Sequence, residues 1–380
     1  MIVFLSNYYN HHQSSFSEAM FKLTKGEYRF IACEPMDEER KAMGWGGEDA
    51  VFALQYQDDP IGCQNLVDFA DVVISGSAPY EYLKKRLKQG RMVLFYSERI
   101  YKAEPSKWKI PLRVMKHYMM FGRYKNAFLL CASAFTAADY ALTKTFVGKT
   151  YKWGYFPRTK RYKNIEVLLK QKRPASILWV ARFINWKHPE QPILVAQRLK
   201  KDGYKFDLNM IGNGDLLDKY TQMICDYSLE DCVHMLGAMK PEQVRKHMEE
   251  SQIFLFTSDR NEGWGAVLNE SMNSGCAVVA SHIIGAVPFM LENGQNGLIY
   301  EDGNFDMLYS SVKKLLDHQE VSKRLGVEAY KTICYTWNAD NAASRLLSLI
   351  QDLNHRKTSN QFQSGPCSEA KIIQDEWCQL

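Results

Sequence analysis

Short apolar runs, each followed by a longer and more polar segment, recur in two series along this chain, and that rhythm admits few folds. Ile2 to Leu5, Phe30 to Ala32, Val72 to Ile74, Met92 to Tyr96 and Phe128 to Cys131 make the first series. Runs near 177–180, 206–211, 233–236, 253–256, 277–280 and 298–300 make the second. Strands buried on both faces read as continuous apolar stretches, and helical segments between them supply the crossovers of a parallel sheet. The expectation is therefore an α/β fold with two parallel-sheet domains. A length of 380 residues also exceeds what one hydrophobic core usually supports. The first domain is expected over 1–160 and the second over 170–335. The charged stretch from Pro157-Arg-Thr-Lys-Arg-Tyr-Lys163 through Lys170-Gln-Lys-Arg-Pro174 is read as their connection. No internal repeat or low-complexity segment interrupts this organisation.

The chemistry concentrates in Thr257-Ser-Asp-Arg-Asn-Glu-Gly-Trp-Gly-Ala-Val-Leu-Asn-Glu270, where Glu262 and Glu270 stand eight residues apart around a glycine-rich turn. Ile253 to Phe256 reads as a buried strand, and Trp264 to Asn273, closed by Gly275, as a short helix. Glu262 then lies at the strand's exit and Glu270 about two turns into the helix. Gly263 and Gly265 leave room for close approach, and the free N–H groups of a helix start favour a bound phosphate. Spacing alone carries little weight in a chain with 43 acidic residues. Arg182 and Lys187 read equally as surface charges, and Gly212 and Gly214 as turn glycines.

Convergence changes that balance. Glu262-Gly-Trp-Gly-Ala-Val-Leu-Asn-Glu-Ser-Met-Asn-Ser-Gly275 resembles the E-x7-E signature of the group 1 (family 4) retaining glycosyltransferases. Ser176-Ile-Leu-Trp-Val-Ala-Arg-Phe-Ile-Asn-Trp-Lys187 is similar to the strand and loop in which that family places an Arg and a Lys on the donor diphosphate. Ile211-Gly-Asn-Gly-Asp215, Gly285-Ala-Val-Pro288 and Asn293-Gly-Gln-Asn-Gly297 follow in the family's order, so the likeness covers roughly 175–335.

The resemblance implies the GT-B architecture, two Rossmann-like domains facing across a cleft. It implies transfer of a sugar from a nucleotide-diphosphate-sugar to a hydroxyl acceptor with retention, without metal or cofactor. By the same resemblance Arg182, Lys187 and the amides of Gly263, Trp264, Gly265 and Ala266 stabilise the departing diphosphate. Glu262 would hold donor-sugar hydroxyls, Glu270 the ribose, and Gly212 and Gly214 would line the second turn. The family's last helices return to the first domain, a role expected here of Ala339 to Leu353 and Ser368 to Cys378, with the polar stretch Asn354 to Pro366 as a linker.

The first half is less legible. Ser6-Asn-Tyr-Tyr-Asn-His-His-Gln13 follows the first strand where many family members carry a glycine-rich turn. Asn10, His11, His12 and Gln13 there are acceptor-side candidates or simply helix-capping and loop residues. Glu98 leaves another strand end and is an acid or base candidate, against the ordinary reading of a solvated glutamate.

Composition narrows the setting. Nine cysteines without a C-x-x-C pair suggest a reducing compartment and no structural zinc, and Met1 to Leu5 is too short for a signal-peptide core. A cytoplasmic enzyme is expected. From residue 81 to 173 there are 23 Lys+Arg against 5 Asp+Glu, although the whole chain carries only +5. Within that block Pro111 to Lys125 mixes Lys116, Arg123 and Lys125 with Met119, Met120 and Phe121, as suits either an anionic membrane surface or a solvated face over a core helix. Nucleic acid ranks last, since no nucleic-acid module accompanies the basic block. The expected partners are thus a nucleotide-sugar, a carbohydrate or lipid-linked acceptor, and an anionic membrane. A nicotinamide dehydrogenase would need G-x-G-x-x-G after the first strand, which holds Asn-Tyr-Tyr-Asn instead. A silent GT-B binding module would show erosion at Arg182, Lys187, Glu262 or Glu270, and all four are present.

Overall fold

The computed structural model describes residues 1–36, 50–103, 107–355 and 362–378. Contacts divide the chain into one unit of Met1–Arg158 with Trp337–Trp377 and another built on Thr159–Thr336. In the first unit β1 (Ile2–Ser6), β2 (Tyr28–Ala32), β3 (Ala53–Gln55), β4 (Val72–Ser75), β5 (Met92–Ser97), β6 (Ala127–Cys131) and β7 (Thr150–Lys152) form a sheet in the order β3-β2-β1-β4-β5-β6-β7. In the second, β8 (Arg173–Val180), β9 (Asp207–Ile211), β10 (Val233–Gly237), β11 (Ser251–Phe256), β12 (Ala277–Ser281) and β13 (Leu298–Tyr300) take the order β10-β9-β8-β11-β12-β13. Every pairing is parallel.

Both sheets start at their middle, wind outward one way, then return and continue the other way. The reversal lies between β1 and β4 in the first sheet and between β8 and β11 in the second. At such a point loops leave neighbouring strand ends towards opposite faces, opening a crevice in which open α/β sheets bind ligands. The strands can occupy this position because helices cover both faces. β11 and β12 are buried along their whole length. Ile193, Ala196 and Leu199 of the helix Glu190–Lys201 pack on Trp179, Leu208 and Met210, while Lys200 and Lys201 stay exposed.

The first unit is held by an aromatic chain running from Phe4 through Phe16, Trp153 and Phe156 to Trp337, with successive ring centroids 5.0 to 6.4 Å apart. The helix Ala339–Asn354 packs against the helix His11–Leu23. Asparagines start both helices: Asn10 Oδ1 accepts the His12 N–H and Asn338 Oδ1 accepts the Asn341 N–H, each at 3.0 Å.

Several expectations need correction. The helix read as Trp264 to Asn273 begins only at Ala266. The stretch read as the connection contains a helix, Ile165–Gln171, and Pro174 is the second residue of β8, near a strand start where its missing N–H is tolerated. β3 and β7 escaped notice because each is three residues long with no apolar run. In the segment Asn354 to Pro366, 356–361 lie outside the described residues.

Ser368 to Cys378 is not a helix. Its start, with Cys367, runs antiparallel along the free edge of β7, with Lys152 N–H bonding Ser368 O at 2.7 Å, Cys367 N–H bonding Lys152 O at 2.8 Å and Ala370 N–H bonding Thr150 O at 3.0 Å. Arg345 donates to the carbonyls of Ser364 and Pro366 and lies over the Phe362 ring, and Asp375 accepts from Arg99 Nη2 at 2.7 Å. An unpaired sheet edge recruits any available strand, so this strap satisfies backbone groups that helical bonding within the segment would have left open. Truncation after His355 should therefore lower the melting temperature and promote aggregation, followed by differential scanning fluorimetry and light scattering. Unchanged melting and monodispersity would show the strap to be dispensable.

Candidate nucleotide-sugar site

The loops after β8 and β11, neighbours at the switch point of the second sheet, are fastened to each other by one buried hydroxyl. Thr257 Oγ1 accepts the Trp179 indole N–H at 2.9 Å and donates to Lys187 O at 2.8 Å. Asp259 N–H adds a bond to Trp186 O at 3.0 Å. This clamp brings Lys187 Nζ onto Glu262 Oε2 in an ion pair whose side chains are 12% and 10% exposed. Ser258 Oγ donates to the same Oε2 at 2.9 Å. No other bond reaches Glu262 Oε1 among the described residues. Lys187 Nζ also lies over the Trp186 ring, 4.3 Å from its centroid. Arg182 sits on the same loop and is exposed.

The glycines of the adjoining turn serve the loop rather than the solvent. A Cβ on Gly212, whose φ is +149°, would fall 1.8 Å from Ala181 O, and one on Gly214 2.6 Å from Phe183 O. That clearance lets Phe183 N–H bond Asn213 O at 2.9 Å and Leu216 N–H bond Phe183 O at 3.1 Å, so the turn after β9 props the Arg182 loop from behind.

Gly265, at φ +86°, turns the chain into the helix Ala266–Asn273; a Cβ there would fall 2.3 Å from the Phe256 ring. No side chain caps this helix start, so its first N–H groups and positive dipole end remain for an anion. Gly263 is buried beside Glu262. The Trp264 side chain is fully buried, with Nε1 donating to Asn269 Oδ1 at 2.9 Å, so only its backbone is placed to serve a ligand. Ala266 opens the helix. At the opposite end Arg245 Nη1 bonds Glu270 O at 3.2 Å, Asn273 Oδ1 at 2.9 Å and Ser274 Oγ at 3.2 Å, a cation where helix carbonyls need one. Burial pushes the Glu270 carboxyl above its usual value, and the nearby Arg245 only partly offsets that.

A further group of residues gathers around Lys187. His188 is left-handed (φ +50°), with Nδ1 2.7 Å from Glu190 Oε1 and Nε2 3.4 Å from Asp259 Oδ2. The Glu190 hydrogen bond, aided by the charges of Glu190, Asp259 and Asp302, raises the imidazole's pKa against the effect of its burial. Burial works to raise Glu190, but His188 and Tyr220, whose hydroxyl donates to Glu190 Oε2 at 2.9 Å, bring it below normal. The adjacency of His188 and Glu190 to Lys187 was the one available sign; Asp259 and Asp302 reach them only through the fold.

In the first unit Asn10 is a helix cap, and His11 and His12 follow it with ring centroids 3.8 Å apart. Desolvation and the neighbouring His11 push His12 down to about 3, so its ring is neutral, and it stacks 5.7 Å from Tyr155. The Tyr155 hydroxyl donates to Glu98 Oε1 at 2.6 Å, which joins the segment after β7 to the end of β5. Gln13 is 7% exposed, and its Oε1 has no bonding partner among the described residues. These residues belong to a different unit from Lys187 and Glu262.

Residues 160–332 match the family model described as glycosyl transferases group 1. This segment, a little under half of the chain, is where the likeness to the group 1 glycosyltransferases lies. The chain is 32% identical over 148 residues to the amylovoran biosynthesis glycosyltransferase AmsK of Erwinia amylovora, covering 38% of this chain and 36% of that protein. It is 25% identical over 171 residues to a poly(ribitol-phosphate) alpha-N-acetylglucosaminyltransferase of Staphylococcus aureus, covering 45% and 34%. The chain thus spans well under half of the length of either relative. The crystal structure of Anabaena HepE in complex with UDP superposes with a TM-score of 0.67 at 14% identity, over 91% of this chain and 99% of that one. That similarity shows the GT-B fold, and it extends past the group 1 segment into the first unit.

Two outcomes follow for the group 1 domain. A buried carboxylate with a raised pKa opposes folding once ionised, so Glu270→Gln should melt higher than the wild type at neutral pH. The gain should vanish as pH falls through the carboxylate range, where Glu270 is protonated in both states; a variant melting lower at neutral pH would contradict this. For His188, whose folded pKa lies above 6.5, the stabilisation is complete below that pH and lost as pH rises through the raised value. His188→Gln should then cost most stability at mildly acidic pH and least in alkaline buffer, and a pH-independent difference in melting would count against it.

Proposed function

We propose that this protein transfers a sugar from a nucleotide-diphosphate-sugar to a hydroxyl acceptor, with retention at the anomeric carbon and without a metal ion. The observation that carries this reading is the meeting of Lys187 and Glu262 at the switch point. They stand on the loop that also bears Arg182 and on the turn that leads into an uncapped helix start. Cleaving the sugar–phosphate bond leaves negative charge on the diphosphate. Arg182, Lys187 and the amides from Gly263 to Ala266 are the groups to meet it, preorganised donors being the largest contribution in most such reactions. Bound diphosphate would draw Lys187 away from Glu262, and the released carboxylate would hold donor-sugar hydroxyls while Glu270 binds the ribose. A leaving-group oxygen would take the acceptor's proton. On the acceptor side Gln13 Oε1, His12 and the Tyr155–Glu98 pair are the groups offered to a hydroxyl.

Support for the substrate class comes from relatives: AmsK is named for amylovoran biosynthesis, the staphylococcal protein for transfer to poly(ribitol-phosphate), and HepE was crystallised with UDP. We accordingly assign the acceptor to polysaccharide or glycolipid synthesis at the cytoplasmic face of an anionic membrane.

Donor hydrolysis across UDP-, GDP- and ADP-sugars tests the reaction and identifies the base; no hydrolysis of any would refute it. In calorimetric titrations of the nucleotide so identified, Arg182→Ala and Lys187→Ala should each lose about 1.5 to 3 kcal/mol, the scale of charge-assisted hydrogen bonds. Glu270→Gln should weaken nucleotide binding, whereas Glu262→Gln should leave it nearly intact and lower turnover. Equal affinity losses in the two glutamate variants would overturn this division of roles.

A further inference from the structure

Residues 107–122 form one continuous helical segment of the first unit, a short 3-10 turn, the helix Ile110–His117 and a π turn over Tyr118–Gly122. Two apolar stripes with the same spacing, i, i+4, i+7 and i+11, run along it on opposite sides. Ile110, Val114, His117 and Phe121 make the inner stripe and are partly buried. The Phe121 ring sits 4.8 Å from Phe95 and 5.5 Å from Phe146, and His117 Nδ1 is 2.9 Å from Thr143 Oγ1. Phe121, read from the sequence as part of a membrane-facing cluster, is therefore an inward anchor.

Trp108, Leu112, Met115 and Met119 make the outer stripe, with Tyr118 beside it, and they are 73%, 62%, 62%, 49% and 56% exposed. A helix that only covers a core places polar residues on its outer side; here four of the larger apolar side chains in the segment stand in water. Lys109, Lys116, Arg123 and Lys125 accompany them, and between 108 and 125 there is no Asp or Glu. Lys109 Nζ lies 4.8 Å from the Trp108 ring centroid, and Lys116 and Arg123 are exposed. A contiguous exposed apolar patch rimmed by charge of one sign marks an interaction surface.

We propose that this stripe is the site at which the protein seats itself on an anionic lipid bilayer. Leu112, Met115 and Met119 enter the acyl boundary, Trp108 and Tyr118 lie at headgroup depth, and the Lys and Arg heads contact lipid phosphates. The choice of a bilayer over an apolar protein groove rests on charge: Lys109, Lys116, Arg123 and Lys125 are all exposed beside the stripe with no Asp or Glu between 108 and 125, a one-signed rim that an extended anionic surface complements. Aromatic rings with one polar end prefer the headgroup layer, and long basic side chains keep their charge there while their stems follow the apolar surface. Among the described residues no helix is long and apolar enough to cross a membrane. This surface deepens the proposed function, on which its meaning for the acceptor rests, by naming where the membrane is met.

Liposome sedimentation of the full chain tests it, with phosphatidylcholine vesicles and with phosphatidylcholine–phosphatidylglycerol vesicles. The wild type should sediment with the anionic vesicles only, and less as salt rises, since attraction decays over a Debye length of about 8 Å at physiological ionic strength. Combining Trp108→Ser, Leu112→Ser and Met115→Ser, and separately Lys109→Glu with Lys116→Glu, should each reduce partitioning by about tenfold or more. Because these side chains are exposed, melting temperatures and donor hydrolysis in vesicle-free buffer should match the wild type. Absence of sedimentation, equal partitioning to neutral vesicles, or undiminished binding by the triple serine variant would overturn the proposal. So would a wild-type dimer in velocity sedimentation that the triple variant dissolves, since the stripe would then belong to a second copy. Donor hydrolysis without vesicles reports on sugar transfer alone, so failure of either reading is separable from failure of the other.

Discussion

The Thr257 hydroxyl is the interaction on which the candidate site depends. It sits where β11 ends, accepts from Trp179 in the neighbouring strand and donates to the carbonyl of Lys187. A buried hydroxyl must satisfy its polar groups, and here each bond it makes ties one of the two switch-point strands or its loop to the other. The ion pair between Lys187 and Glu262 follows from that registration. Without it, two long side chains on independent loops would have to find each other against their rotamer entropy.

The surrounding layers each remove a remaining freedom. Gly212 and Gly214 let the turn after β9 press against the backbone of Ala181 and Phe183, which supports the Arg182 loop. Gly265 lets the chain enter the helix Ala266–Asn273 past the Phe256 ring, and Arg245 holds the far end. The result is a helix start with open N–H groups beside a cationic loop, each set by backbone packing. His188, between Glu190 and Asp259, fixes the exit of the same loop, and its charge makes that fixation sensitive to pH.

The first unit follows a different logic. Its aromatic chain runs from Phe4 to Trp337 and depends on residues far apart in sequence, and its sheet edge is closed by the strap that reaches Asp375. Glu98 meets Tyr155, and His12 stacks on the same ring, so candidate acceptor residues from three chain segments share one network. A buried Arg99, bonded to Asp375 and stacked over Phe135, couples that network's strand to the strap.

The sequence by itself determined the parallel α/β class, nearly all the central strands and the motif around Glu262 and Glu270. Those features are local: a continuous apolar run, a glycine where φ must be positive, and an order of motifs along one chain. Tertiary structure alone decided the pairing of Lys187 with Glu262 and the enclosure of Trp264, since both depend on which strands become neighbours. It also decided the course of Ser368 to Cys378, a segment that took the free edge of β7 and so became a strap where a helix was expected. The outward face of Trp108, Leu112, Met115 and Met119 was hidden in the sequence for the same reason. Two apolar stripes of equal spacing run along that helix, and only packing of Phe121 and His117 against the body chose which one would remain in water.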